Sequence, residues 1–271
     1  MMIKIRMNVI ICVVFIIFIL ILIVSTKSLQ RKSETIYCVM VTGKDAERLN
    51  FGKIAINNFN KQTYKNKRLI IINEGDALNE VDKDILEIVV SNRKEKGLTL
   101  GDLRNMAFEF IPEDALWTLW DDDDWRQDIY LTTLQASIKK NDYVFFTKRI
   151  EYNLNNGFSW VMELKTGFVI LFGRKNWRCK YESKDFNEDV SLKSYIMKNL
   201  NYVILKNDPK IYIRTIHKNN TSVLVKKSKD EIADTKHNKV YHEYAANKDE
   251  TSYANNIINL NFEKNKSKKE L

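Results

Sequence analysis

The stretch Ala115-Leu-Trp-Thr-Leu-Trp120-Asp121-Asp-Asp-Asp124-Trp125 joins a short apolar run to four consecutive carboxylates. An apolar run of this length reads as a buried strand. The aspartates therefore sit where a strand leaves the core. Like charges this close repel, and one acidic residue is enough to cap a helix. The next segment, 127–138, reads as a helix with Tyr130, Leu134 and Ile138 on one face. Its dipole accounts for one or two of the acids. Four ask for a cation, and the ends of parallel strands are where open α/β sheets place ligands.

Working outward from this block, apolar runs alternate with amphipathic segments. Residues 34–42 read as a first strand ending at Gly43, and 44–60 as a helix with Phe51, Ala55 and Phe59 at helical spacing. Residues 68–73 are a second strand, followed by a short helix carrying Val81 and Ile85 and a strand at 86–90. A helix at 103–111 leads into the fourth strand, 116–120. This alternation predicts an α/β fold with a mostly parallel central sheet flanked by helices. After Asp142 the strands at 143–150, 167–172 and 202–205 are separated by longer irregular connections, with a helix at 190–200.

The flanks differ from this pattern. Residues 7–24 are almost wholly apolar, with Lys4 and Arg6 before them and Lys27, Arg31 and Lys32 after. That length is near the short end of the ~17–25 residues that span a bilayer. It favours an uncleaved transmembrane signal anchor over a signal peptide, whose apolar core is shorter. Basic residues on both sides leave orientation open by the positive-inside rule. The domain plan is thus an anchor with its flank at 1–32, an α/β domain at 33–225, and a polar, weakly ordered tail at 226–271 rich in Lys, Asn, Asp and Glu. The net charge of +9 is spread among acids. It gives no basic stripe with interleaved aromatics, so no nucleic-acid partner is expected. Cys12, Cys38 and Cys179 form neither a disulfide framework nor a zinc spacing.

Local patterns then fall in order: Gln62-Thr-Tyr64 before the second strand and Asn73-Glu74-Gly75 after it, Gly101-x-x-Arg104-Asn105 opening a helix, the aspartate block, Asn187-Glu188-Asp189 opening a later helix, and Arg214-x-x-His217-x-Asn219-Asn220-Thr221 after a final strand. This order resembles the family 2 glycosyltransferases of the GT-A fold, over roughly residues 37–222.

The resemblance implies an inverting glycosyltransferase that takes a sugar from a nucleotide-sugar donor, a UDP-sugar before others, to a hydroxyl of a glycan, glycoprotein or lipid acceptor. It implies Mn²⁺ or Mg²⁺ as cofactor, with Asp121, Asp123, Asp124 and His217 as metal ligands. Hard oxygen ligands suit either ion, and an imidazole among them tilts the choice toward Mn²⁺. Asp189 matches the family's base, with Glu188 beside it. Arg104 would contact the diphosphate, since its fork of donors suits phosphate oxygens. Thr42, Glu74, Asp121 and Asp122 complete the donor site. Glu74 departs from the family's usual Asp, and Val41-Thr42-Gly43-Lys44 departs from the usual first loop. Residues 153–166 read as a loop over the acceptor, with Phe158 and Trp160 placed to stack on a sugar ring.

The departures keep a rival reading open, a membrane-tethered, inactive binding protein of the same fold. A metal-dependent nucleotidyl or phosphoryl transferase would also use clustered carboxylates. The sequons at Asn219, Asn220 and Asn265 go with a single-pass, type II protein with its domain in the secretory-pathway lumen, whereas the final Lys-Lys-Glu-Leu, one residue away from a retention signal, is better explained by chance in so lysine-rich a tail.

Overall fold

A computed structural model describes residues 34–217, apart from 44, 79–81, 155–158 and 165–168. The anchor at 7–24, Cys12, Val81, Phe158, the sequons and the tail at 226–271 lie outside the described residues. Among the described residues, no helix is long and apolar enough to cross a membrane. The chain divides into Met1–Glu34 and Thr35–Leu271, and every element below belongs to the second unit.

The elements run β1 (Ile36–Thr42), α1 (Ala46–Lys61), β2 (Lys67–Asn73), β3 (Ile85–Val89), α2 (Leu100–Phe108), β4 (Leu116–Leu119), β5 (Trp125–Arg126), α3 (Tyr130–Ile138), β6 (Tyr143–Phe146), β7 (Lys148–Asn153), β8 (Ser159–Glu163), β9 (Ile170–Arg174), α4 (Val190–Asn199), β10 (Tyr202–Leu205) and β11 (Tyr212–Ile216). Seven strands form one sheet in the order β10-β6-β9-β4-β1-β2-β3. The β3-β2-β1-β4 portion is parallel throughout, while β9 runs antiparallel between β4 and β6. A smaller sheet has the order β5-β11-β7-β8.

The central strands read as unbroken apolar runs because helices cover both faces of the large sheet. On one face, Ile36, Cys38 and Met40 of β1 and Leu69 and Ile71 of β2 pack with Ala55, Ile56 and Phe59 of α1 and Leu131 and Leu134 of α3. On the other, Val39, Ile70 and Ile72 pack with Leu103 and Ala107 of α2 and Leu192 and Ile196 of α4. The helix starts are set locally. Asp45 caps α1 by accepting from the Arg48 amide at 2.8 Å, and Thr99 and Asp102 form a capping box on α2. Strand β1 has β2 on one side and β4 on the other, so the chain order reverses there. The C-terminal ends of β1 and β4 therefore open a crevice at the switch point, which is where Thr42 and Asp121–Asp124 lie.

Four sequence expectations need correction. Ile85 starts β3 and is not part of a helix. The run 143–150 is two strands, since β6 joins the large sheet and β7 the small one. Within 153–166, residues Ser159–Glu163 are strand β8 and not loop, and Trp160 on it is buried, only 6% exposed, unlike a stacking platform. Arg214 lies within β11 and not after it.

Gly101, in the first turn of α2, touches the segment that leads to α4. A Cβ there would lie 1.8 Å from the carbonyl oxygen of Glu182, and the Gly101 amide donates to the Lys184 carbonyl at 3.1 Å. Backbone cannot yield as a flexible side chain can. Gly101→Ala is therefore expected to destabilise the protein by about 2 kcal/mol, the middle of the range for overpacking. The urea unfolding midpoint measures this, and an unchanged midpoint would show that the approach is not constrained.

Candidate active site

The four aspartates do not share one environment. Asp122 and Asp124 are buried, at 3% and 7% exposure, and each is held by other elements. The Thr42 hydroxyl, at the end of β1, donates to Asp122 Oδ2 at 2.9 Å. Arg48, in the first turn of α1, places Nη1 2.5 Å from Asp122 Oδ1 and 3.1 Å from Asp123 Oδ2. Asp124 is engaged through both oxygens by β11. The Thr215 amide donates to its Oδ1 at 3.0 Å, and the Tyr212 hydroxyl donates to Oδ2. Asp123 Oδ2 lies 3.0 Å from His217 Nε2, just past the end of β11, and the His217 ring rests 5.1 Å from that of Phe51. Asp121 is the most open of the four, its side chain 37% exposed, with Arg104 Nη2 3.3 Å from its Oδ1.

The electrostatics follow from these partners. Burial, with Asp123 beside it, raises Asp122 well above the usual carboxylate range despite Arg48. Burial likewise lifts Asp124 to about 7, with the charges of Asp123 and Asp121 adding to it. Burial also acts upward on Asp123, but the hydrogen bond with His217 and the charge of Arg48 outweigh it and hold this carboxyl below its ordinary value. The negative charge of the block is therefore concentrated away from its two buried members.

Behind the block sits a buried cation. Arg126 is 1% exposed and lies among three rings, with its guanidinium carbon 4.4 Å from the centre of Trp120, 5.0 Å from Tyr212 and 5.7 Å from Tyr130. Its Nη1 donates to the Asp121 carbonyl at 3.3 Å and its Nη2 to the Leu119 carbonyl at 3.4 Å. It thus ties down the backbone from which the aspartates project. Nothing local in the sequence marks it beyond its place after Trp125.

Most of the sequence-predicted residues meet in one cleft of about 490 Å³, whose lining includes Thr42, Glu74, Arg104 and all four aspartates. Glu74 forms an ion pair with Arg93 at 2.8 Å, and Arg93 also pairs with Asp185. Glu188 lies beside this cleft, where Arg104 bridges it to Asp121. Asp189 opens α4 with no capping hydrogen bond from its side chain, which pairs with Lys193 instead. Asp189 and Asp121 both line a smaller adjoining cavity of about 70 Å³. Of the expected metal ligands, Asp123 and His217 are in contact, whereas Asp124 is turned into β11 and Asp121 toward Arg104. Among the described residues, no group of three or more His, Cys, Asp or Glu side chains is arranged to hold a metal ion.

Sequence reasoning passed over Arg48, Arg93 and the role of Arg214, all of which line the cleft. The available signal for Arg48 was its position in the first turn after β1, together with the need of four acids for cations. Removing it should be costly, because Asp122 Oδ1 and Asp123 Oδ2 would lose a charged donor inside the fold. Arg48→Met is expected to lower stability by about 2 kcal/mol. Adding Asp122→Asn should recover part of that loss, as read by denaturant unfolding of the single and double variants. Strictly additive losses would contradict the pairing.

Residues 53–198, more than half of the 271-residue chain, match the profile of glycosyl transferase family 2. No curated protein sequence matches the chain. Among solved structures it is similar to residues 1–349 of S. aureus TarS in complex with UDP, at 13% identity and a TM-score of 0.50 over 66% of this chain and 60% of that one. A mannosyltransferase from Pyrobaculum calidifontis, solved with GDP-Man and Mn²⁺, gives 9% identity and a TM-score of 0.49 over 70% of this chain and 59% of that one. The chain thus spans about three fifths of the length of these structures. The α/β architecture with its large, mostly parallel sheet is that of the GT-A glycosyltransferases. By the family match and by this fold, the chain belongs to glycosyl transferase family 2.

Proposed function

We propose that the protein is an inverting glycosyltransferase that moves a sugar from a nucleotide-diphosphate donor to an acceptor hydroxyl. The observation that carries this reading is the cleft at the switch point, where carboxylates and guanidinium groups share one wall in a chain of this family. Thr42 and Glu74, at the ends of β1 and β2, are assigned to the nucleoside. Arg104 is assigned to the diphosphate, where its planar fork matches phosphate oxygens.

A divalent cation would be held by Asp123 and His217, whose Oδ2 and Nε2 stand 3.0 Å apart, and it would displace Arg48 Nη1, now 3.1 Å from the same oxygen. A cation of this kind is commonly bound by few protein groups plus substrate phosphates, so a pair of protein donors suffices. When bound, Mn²⁺ or Mg²⁺ would supply positive charge against the departing diphosphate. Asp121 and Asp124 are not needed as direct ligands in this arrangement.

Asp189 is the assigned base. It takes the acceptor O–H proton as that oxygen forms a bond to the anomeric carbon and the bond from this carbon to the diphosphate breaks. One displacement inverts the configuration. Its place beside Asp121 in the adjoining cavity supports the assignment. Glu188, bridged through Arg104, is assigned to holding that arginine toward the donor. The segment 7–24 is proposed as a single-pass anchor with the domain in a secretory lumen, and a glycan, glycoprotein or lipid as acceptor.

The full chain, solubilised in detergent with Mn²⁺, should turn over one of the common nucleotide sugars, with UDP-sugars tried first. Neither turnover nor binding across that set would overturn the proposal. Asp189→Asn should slow turnover by about 10²–10⁴-fold while donor affinity stays within about threefold. Wild-type rates in that variant would remove Asp189 as base and favour a binding protein. A chelator should abolish turnover and Mn²⁺ restore it, and His217→Ala should raise the Mn²⁺ requirement at least about tenfold.

A further inference from the structure

The small sheet holds a second charged cluster, centred on Glu151. This residue sits in the middle of β7 and is fully buried. The strand registers place it opposite Arg214 of β11 and opposite Trp160 of β8. Its Oε1 accepts from Arg149 Nη2 at 2.6 Å and Nε at 3.1 Å, and lies 3.5 Å from Arg214 Nη1. Its Oε2 has no hydrogen-bond partner.

Such a carboxylate is a poor choice for packing. A buried ion cluster exchanged as a whole for apolar residues is often neutral or stabilising, so folding alone does not call for one here. The sheet does not depend on it for a core either, because Ile150, Tyr152 and Ile213 already pack together on these strands. The cluster does reach the site, however. Arg214 lines the cleft together with the four aspartates. Two arginines on one carboxylate leave the cluster net positive at the cleft wall.

We infer that Glu151 is a positioning residue that fixes the Arg214 guanidinium in the cleft wall as a ligand for the donor diphosphate. This rests on the proposed nucleotide-sugar site. The Arg214 side chain is long and flexible. An oriented charge partner behind it leaves less freedom to lose when a phosphate binds in front, so the interaction is pre-organised. The pairing is also specific to arginine, since a lysine offers a point charge without a fork.

The test is calorimetric titration of the full chain, in detergent with Mn²⁺, using UDP, GDP, inorganic pyrophosphate and uridine as probes. Glu151→Gln should weaken the better nucleotide and pyrophosphate by the same factor, at least tenfold, and leave any uridine binding unchanged. A purely structural role would not separate diphosphate from nucleoside. Arg214→Gln should show the same loss, and the double variant no further loss. Affinities within twofold of wild type in Glu151→Gln, or losses that add in the double variant, would overturn the inference. If Glu151→Gln does not fold, unchanged pyrophosphate affinity in Arg214→Gln overturns it alone. A wild-type chain that binds neither nucleotide would remove the donor site itself, and this inference with it. Wild-type binding with unaltered variants would remove only the role of Glu151.

Discussion

Everything at this site follows from the cost of placing four adjacent carboxylates at the edge of a core. Two unit charges about 4 Å apart repel by roughly 4 kcal/mol at an effective dielectric of 20. No single partner can absorb that for the whole block. The fold meets the constraint by drawing partners from separate elements: Thr42 from β1, Arg48 from α1, Arg104 from α2, Tyr212 and Thr215 from β11, and His217 just beyond it. Arg126 holds the backbone from behind. The aspartate block is thus the point at which the large sheet, the small sheet and two helices are tied together.

That distribution also divides the labour within the block. Asp122 and Asp124 are buried and shifted toward the neutral form, so they belong to the framework. Asp121 is open to the cleft, and Asp123 is kept charged beside His217. In the proposed reaction these two face the donor, one toward Arg104 and one toward the cation. The same logic extends outward through Arg214 to Glu151, where a buried charge on the small sheet orients a charge in the cleft.

Much of this was legible in the chain. The apolar runs of β1, β2 and β4 announce a sheet buried on both faces, and the acids after Trp120 announce its ligand-binding edge. The order of Arg104, the aspartates, Glu188 and Asp189 was enough for the family resemblance; Arg104 and the aspartates line the cleft, Asp189 its adjoining cavity, and Glu188 pairs with Arg104. What escaped has physical reasons. Strand β5 is two residues long and β8 is five residues just after the Asn-rich run 153–156, so neither is long enough to show a period. The division between β6 and β7 is a choice of sheet, made by tertiary pairing and not by composition. Arg48 meets Asp122 across 74 positions of sequence, and no local pattern encodes that contact. The bonds that Thr215 and Tyr212 make to Asp124 depend on β11, far along the chain, and nothing near Asp124 in the sequence encodes them.

The central claim is that a cation held by Asp123 and His217 meets a nucleoside diphosphate in this cleft. Anomalous diffraction from crystals of the full chain grown with Mn²⁺ and UDP tests it most directly. The account predicts a manganese peak within coordinating distance of both Asp123 Oδ2 and His217 Nε2, in contact with diphosphate oxygens, with Arg104 and Arg214 on the remaining phosphate oxygens. Bound nucleotide with no manganese peak at that position, or a diphosphate lying outside the cleft, would contradict it.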